Sequence, residues 1–230
     1  MGKIKPVPFR HRPKGMEILY EDMDVIVIDK EPGLLTVRAN YEKEKTAHQI
    51  LTSYVRRGDC KSKKQVFVVH RLDRETSGVL VFAKSFNSME NLKQQWGKTV
   101  KKKYLAVVHG ILKEKAGTIT SYLAENDDYR VFSVKDQQRG ELAITAYKVL
   151  KESKNFSLLE IDLVTGKKNQ IRVHLSEKGH PIVNDDKYGR DKSRGRLALH
   201  SQSLTFNHPY SGRTMTFEAK VPEYFHSYNK

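Results

Sequence analysis

The sequence predicts an α+β domain built on a mixed, largely antiparallel sheet with flanking helices. Three observations carry that expectation. Beyond residue 102, five short β-rich segments, at 104–108, 117–122, 130–134, 142–150 and 156–164, are separated by turn residues at intervals that suit antiparallel neighbours. Two stretches, 47–57 and 85–99, place apolar residues at helical spacing. Between them the runs 66–69 and 79–83 are β-branched and short enough to be buried strands.

Taken in order, residues 1–15 hold six basic side chains, His11 included, with Pro6, Pro8 and Pro13 and little periodicity. They predict an extended basic arm, and residues 16–230 then form one domain. The runs 25–28 and 34–37 suit two strands about the Pro32-Gly33 turn. Ile50, Leu51, Tyr54 and Val55 give 47–57 a helical face, with Thr46 as candidate N-cap. In 85–99, Phe86, Met89, Leu92 and Trp96 recur at steps of three and four, a stripe that reads as core. Residues 169–177 fit helix or strand, and Gly179-His180-Pro181 ends either one. No internal repeat, low-complexity segment or linker divides the chain.

Composition narrows the partners. With 42 basic against 27 acidic residues, the formal charge of +15 points to a polyanion, either nucleic acid or an acidic membrane surface. No stretch approaches the roughly 20 apolar residues of a membrane span, and no signal-peptide pattern follows the basic start. Nucleic acid and a cytoplasmic location are therefore expected. The single Cys60 excludes an intrachain disulfide and, in a polar basic loop, reads as a surface thiol. Rossmann and P-loop glycine spacings are missing, as is zinc-type Cys/His spacing. His70, His109, His174, His180, His200 and His208 form no ligand pair at helical spacing, so no metal is expected.

The most informative stretch is 69–84, a charged loop between two apolar runs. Its polar residues cannot share the core of those runs, so Asp73 is presented at a strand end. Arg71 and Arg74 put positive charge beside that carboxylate, as suits a nucleophile or general base. A hairpin loop with a solvated ion pair would look the same.

A second constellation lies at 164–188, including Thr165-Gly166-Lys167-Lys168-Asn169-Gln170-Ile171-Arg172. Together with His70-Arg71-Leu72-Asp73 and Thr76-Ser77-Gly78, it resembles the RluA-type family of RNA pseudouridine synthases. The resemblance runs from about residue 18 to 222 and takes in further motifs in the family's order. These are Ile18-Leu19-Tyr20-Glu21-Asp22, Lys30-Glu31-Pro32-Gly33-Leu34, Lys103-Tyr104-Leu105-Ala106, Arg196-Leu197-Ala198-Leu199-His200 and Phe206-Asn207-His208-Pro209.

The resemblance implies a single catalytic domain with a cleft across the middle of its sheet. It implies site-specific isomerisation of uridine to pseudouridine in structured RNA, ribosomal or transfer, by a monomer that needs no cofactor, metal, membrane or obligate protein partner. The base must be cut from the anomeric carbon, turned, and rejoined through ring position five. By resemblance Asp73 is the catalytic carboxylate, either attacking the sugar or removing a ribose proton. Tyr104 lies against the flipped base and is the candidate for the last proton transfer. Arg172 is the basic partner of Asp73, with a planar fork able to hold both carboxylate oxygens. Arg71 is expected to fill the vacated base stack or bind flanking phosphate, and Leu197 to wall the uracil pocket. Lys101–Lys103, Lys167, Lys168, Lys192, Arg194 and Arg196 are candidates for positioning phosphates.

Lys167, Lys168 and Asn169 depart from the Arg-Thr-His usual in the family, and Asn184 replaces a usual glycine, which predicts an altered RNA contact with chemistry intact. Two other classes compete. One is a catalytically silent RNA-binding protein with the same fold, against which intact Asp73, Tyr104 and Arg172 argue. The other is a metal-dependent nuclease using Asp73 with Asp185 or Asp186.

Overall fold

The computed structural model describes residues 13–38, 45–57, 59, 61–189 and 195–229. Nearly all of the expected basic arm, with Cys60, Lys192 and Arg194, lies outside them. Among the described residues, eleven strands form one sheet. They are β1 Met16–Glu21, β2 Val25–Lys30, β3 Phe67–Val68, β4 Ser77–Ala83, β5 Lys101–His109, β6 Ala116–Glu125, β7 Val131–Val134, β8 Glu141–Glu152, β9 Phe156–Leu163, β10 Leu199–Asn207 and β11 Thr214–Glu218. Three α-helices accompany them: α1 Ala47–Arg56, α2 Phe86–Gln95 and α3 Gln170–Glu177.

The sheet runs β1-β2-β4-β10-β5-β9-β8-β6-β7, with β11 on β10 and β3 on β4. All its pairings are antiparallel but one, β4 with β10, so the mixed, largely antiparallel expectation holds. Every residue of β4 is buried because both faces are covered, which explains its unbroken apolar run. Leu80 and Phe82 face the core that holds Leu51 and Val55 of α1. Val79 and Val81 face the other way, against Met89 and Leu92 of α2. Strand alternation and helix spacing therefore meet on opposite sides of one strand. In β6 and β8 the pattern changes to one buried face and one wet face.

The expected helix starts are found. Thr46 caps α1 in a reciprocal capping box with Gln49, and Ser85 caps α2. Residues 170–177 of the ambiguous segment are helix, with Asn169 in the left-handed region at φ 53° just before it. Three expectations need correction. Residues 34–37 are not a strand, because their carbonyls are taken elsewhere: that of Leu34 by the Lys30 ammonium, and those of Leu35 and Thr36 by amides at the start of α1. The partner of β2 is instead β1. The helical stripe of 85–99 is only half core: Met89 and Leu92 are buried, but Phe86 is 60% exposed and Trp96, beyond the helix, is partly exposed.

The parallel seam depends on one residue. Gly78 sits at φ +111°, and a Cβ there would lie 2.2 Å from the Ser201 carbonyl oxygen. No side chain fits between β4 and β10 at this point. Gly78→Ala is expected to cost about 3 kcal/mol or more, within the range of strain and overpacking penalties, as read from denaturant midpoints against wild type.

Candidate active site

An open cleft of about 450 Å³ lies between the loop joining β3 to β4, strand β5, and the segment leading from β9 into α3. Asp73, Arg71, Tyr104, Lys167, Lys168, Asn169 and Arg172 all line it. Residues separated by a hundred positions in sequence are thus brought to one concavity.

The Asp73 loop is pinned from below. The Thr36 hydroxyl, 2% exposed, donates to the Leu72 carbonyl at 2.9 Å and accepts from the Leu72 amide at 3.2 Å. The fully buried Lys30 ammonium donates to the carbonyls of Glu31, Leu34 and Arg74 at 2.9, 2.8 and 3.0 Å. Burial pushes Lys30 down to about 8, opposed by the acidic side chains of Glu75, Asp73 and Asp29. The Gly33 amide adds a bond to the Arg74 carbonyl at 2.9 Å. Asp73 is left about one third exposed at the head of this platform.

Arg172 projects from α3, but its fork does not grip Asp73 as expected. Nε and Nη2 donate to the two oxygens of Asp185 at 2.8 and 2.7 Å, and Nη1 reaches Asp73 at only 3.6 Å. Asp185 is wholly buried and needs that countercharge; it also accepts the amides of Lys187 and Tyr188. Burial works against the guanidinium charge, yet Asp185 outweighs it and holds Arg172 above its ordinary value. Asp185 is thus committed to Arg172 and two backbone amides, which counts against a metal-ligand role for it in the nuclease reading. Asp186, 74% exposed, rests on Arg172 Nη2 at 3.3 Å.

Tyr104, 6% exposed on β5, faces the cleft across from this pair. Burial pushes its phenol up to about 12, with Ser201 opposing and Asp73 adding, so it is neutral at pH 7. Asn169 donates from Nδ2 to the Tyr188 hydroxyl at 3.2 Å and accepts from Arg172 at 3.4 Å. Lys167 pairs with Glu141 at 2.7 Å and Lys168 with Glu125. Arg71 stands exposed at the rim. Leu197 is 2% exposed within the main core and does not line the cleft, whose apolar wall is Leu72, Leu163, Ile171 and Leu199.

Three further residues line the cleft that were not among the sequence-predicted site residues. Gln170 is 2% exposed and shapes the turn before α3: it accepts from the Thr165 hydroxyl and Lys167 amide and donates to Ile144 and Thr145. Its place within the quoted motif was the available signal. His70 and Trp96 line the cleft, ring centroids 4.3 Å apart. Burial, and then Lys102, push His70 down to about 3, so its ring stays neutral and its Nε2 accepts the Val81 amide at 3.2 Å.

The chain matches known proteins over most of its length. The family model described as RNA pseudouridylate synthase matches residues 24–177. The chain is 36% identical over 216 residues to the uncharacterized RNA pseudouridine synthase YlyB of Bacillus subtilis (strain 168), covering 92% of this chain and 71% of that protein. It is 36% identical over 231 residues to the ribosomal large subunit pseudouridine synthase D of Neisseria meningitidis serogroup B, covering 93% of this chain and 60% of the relative. The structure of human RNA pseudouridylate synthase domain containing 4 superposes with a TM-score of 0.76 at 24% identity, over 90% of this chain and 89% of that one.

The buried clamp is open to a direct check. Asp185→Asn removes the countercharge from a guanidinium that is 7% exposed, and a loss of about 3–5 kcal/mol in chemical unfolding is expected. A loss below about 1 kcal/mol would show that Asp73 and Asp186 suffice to hold Arg172.

Proposed function

The chain belongs to the RNA pseudouridylate synthase family and is an RluA-type RNA pseudouridine synthase; from that premise we propose that Asp73 is the carboxylate that acts on the ribose of the target uridine. The observation that carries the assignment is its position: a partly exposed carboxylate on a pinned loop, 3.6 Å from a guanidinium that is itself fixed by Asp185. Arg172 steadies the negative charge without capping both oxygens, which leaves one free to approach the anomeric carbon or a ribose proton.

When the glycosidic bond breaks, its electron pair stays with the uracil ring. The freed base turns against Tyr104 and the apolar wall of Leu72, Leu163, Ile171 and Leu199, and ring position five bonds to the sugar. The proton left on that carbon must then depart. A neutral phenol accepts it only while passing its own proton on, and the ring nitrogen released from the sugar, which ends protonated in the product, balances that loss. Tyr104 thus has two roles in this reading, as a stacking surface and as a relay.

The substrate we assign is structured RNA, with ribosomal RNA favoured over transfer RNA because one similar protein is named for the large ribosomal subunit. Lys167, Lys168 and Asn169 border the cleft where they would touch the RNA, and Arg71 at the rim suits the flipped-out position or an adjacent phosphate. No helix among the described residues is long and apolar enough to cross a membrane. The enzyme is assigned to the cytoplasm as a monomer. Mapping of pseudouridines in ribosomal and transfer RNA from a deletion strain and its parent identifies the uridine, and a pattern identical in both would overturn the assignment.

Two substitutions separate the roles. Asp73→Asn is expected to bind RNA and make no pseudouridine; turnover within about tenfold of wild type, or about 1.4 kcal/mol of barrier, removes Asp73 from catalysis. Tyr104→Phe is expected to keep base stacking but to slow release of tritium from uridine labelled at ring position five by about 10²-fold. Normal release from a stably folded phenylalanine variant leaves Tyr104 with stacking alone.

A further inference from the structure

We propose that Lys102, beside the Trp96 indole, forms a phosphate subsite inside the cleft that holds the RNA backbone next to the target uridine. The inference rests on the function proposed above and names a contact within it. Lys102 precedes Tyr104 by two on β5, so both side chains emerge on the same face, and both line the cleft.

Three other lysines near this end are already paired with carboxylates. Lys103 pairs with Glu160 at 3.0 Å, Lys167 with Glu141 at 2.7 Å, and Lys168 with Glu125. Lys102 is 6% exposed, and its ammonium makes a long hydrogen bond, 3.4 Å, to the Thr165 carbonyl. Among the described residues no carboxylate oxygen comes within 4.0 Å of its ammonium. Burial alone shifts Lys102 downward, with no anion opposing. A buried cation without countercharge is costly, and an arriving phosphodiester removes that cost through a charge-assisted bond.

The surroundings leave room for it. Gly166, another residue of the cleft lining, stands beside the ammonium: a Cβ there would make only an ordinary contact, 3.6 Å, with the Lys102 nitrogen. Trp96 lies with its ring centre 5.9 Å from the same nitrogen and is backed by His70, whose ring is tilted 34° to it. A base attached to the held phosphate would find an aromatic surface there.

Binding of a fluorescent oligouridylate, followed by anisotropy over a range of salt, tests the subsite. Lys102→Met is expected to reduce the log–log salt slope by about 0.7, the value for one single-strand phosphate contact, and Lys102→Arg to restore it. Trp96→Leu is expected to weaken binding about tenfold with the slope unchanged. An unchanged slope in folded Lys102→Met overturns the proposal. Wild-type protein supplies a second readout that needs no variant: acylation of Lys102, mapped by mass spectrometry. Protection by oligouridylate and by inorganic phosphate, and not by uridine, is expected; equal protection by uridine, or none by oligouridylate, overturns the proposal. Both readouts follow binding. A chain that bound in this way but made no pseudouridine would refute the proposed function and leave the subsite standing.

Discussion

The cleft rests on the bonds that hold one short loop from beneath. A segment of irregular backbone between β3 and β4 has no ladder to fix it, yet a carboxylate that is to act as proposed above tolerates little displacement. Lys30 and Thr36 supply what the ladder does not. The ammonium gathers carbonyls from both the 31–34 turn and the Asp73 loop, and the threonine closes both polar groups of the Leu72 backbone. Burying a charge this deeply is unfavourable, and three carbonyl acceptors at hydrogen-bond distance offset it. The 34–37 segment gives up strand geometry for the same reason: its backbone is committed to the lysine and to the first amides of α1.

Charge in the cleft is arranged in tiers. Asp185, fully buried, takes the fork of Arg172, and Asp73, partly wet, receives only its remaining arm. Had the fork closed on Asp73, both oxygens would be occupied and the guanidinium would have to move before a sugar entered. Fixing the arginine on a second acid keeps the positive charge in place while one Asp73 oxygen remains available. Tyr188 contributes to the same lock: the Arg172 guanidinium lies 5.4 Å from its ring centre, and its hydroxyl accepts from Asn169.

Much of this was legible in the residues, and the failures share a cause. The β-rich runs, the Thr46 cap and the gathering of Asp73, Tyr104 and Arg172 follow from local pattern and motif. Arg172 was correctly placed near Asp73, but its fork was given to the wrong acid, because Asp185 announces its burial only once α3 has packed over it. Leu197 was assigned to the pocket wall, whereas the strand beginning at Leu199 presents that next leucine instead. Trp96 fell on a helical stripe and was read as core; the helix ends at Gln95, so the stripe's last member turns into the cleft. In each case the deciding fact was a contact between distant segments, to which periodicity is blind.

The place of β10 in the sheet has a consequence for the order in which the enzyme is made. Residues 199–207 lie between β4, which follows the Asp73 loop, and β5, which carries Tyr104, and bind both. A ribosome delivers the first two strands long before the third. Until that late segment inserts, the halves of the cleft have no ladder joining them, and α1 and α2 can only cover a provisional sheet. Closure of the site is therefore a late, non-local event that spans more than a hundred residues of chain, a topology that slows folding and couples the birth of activity to synthesis of the final strands.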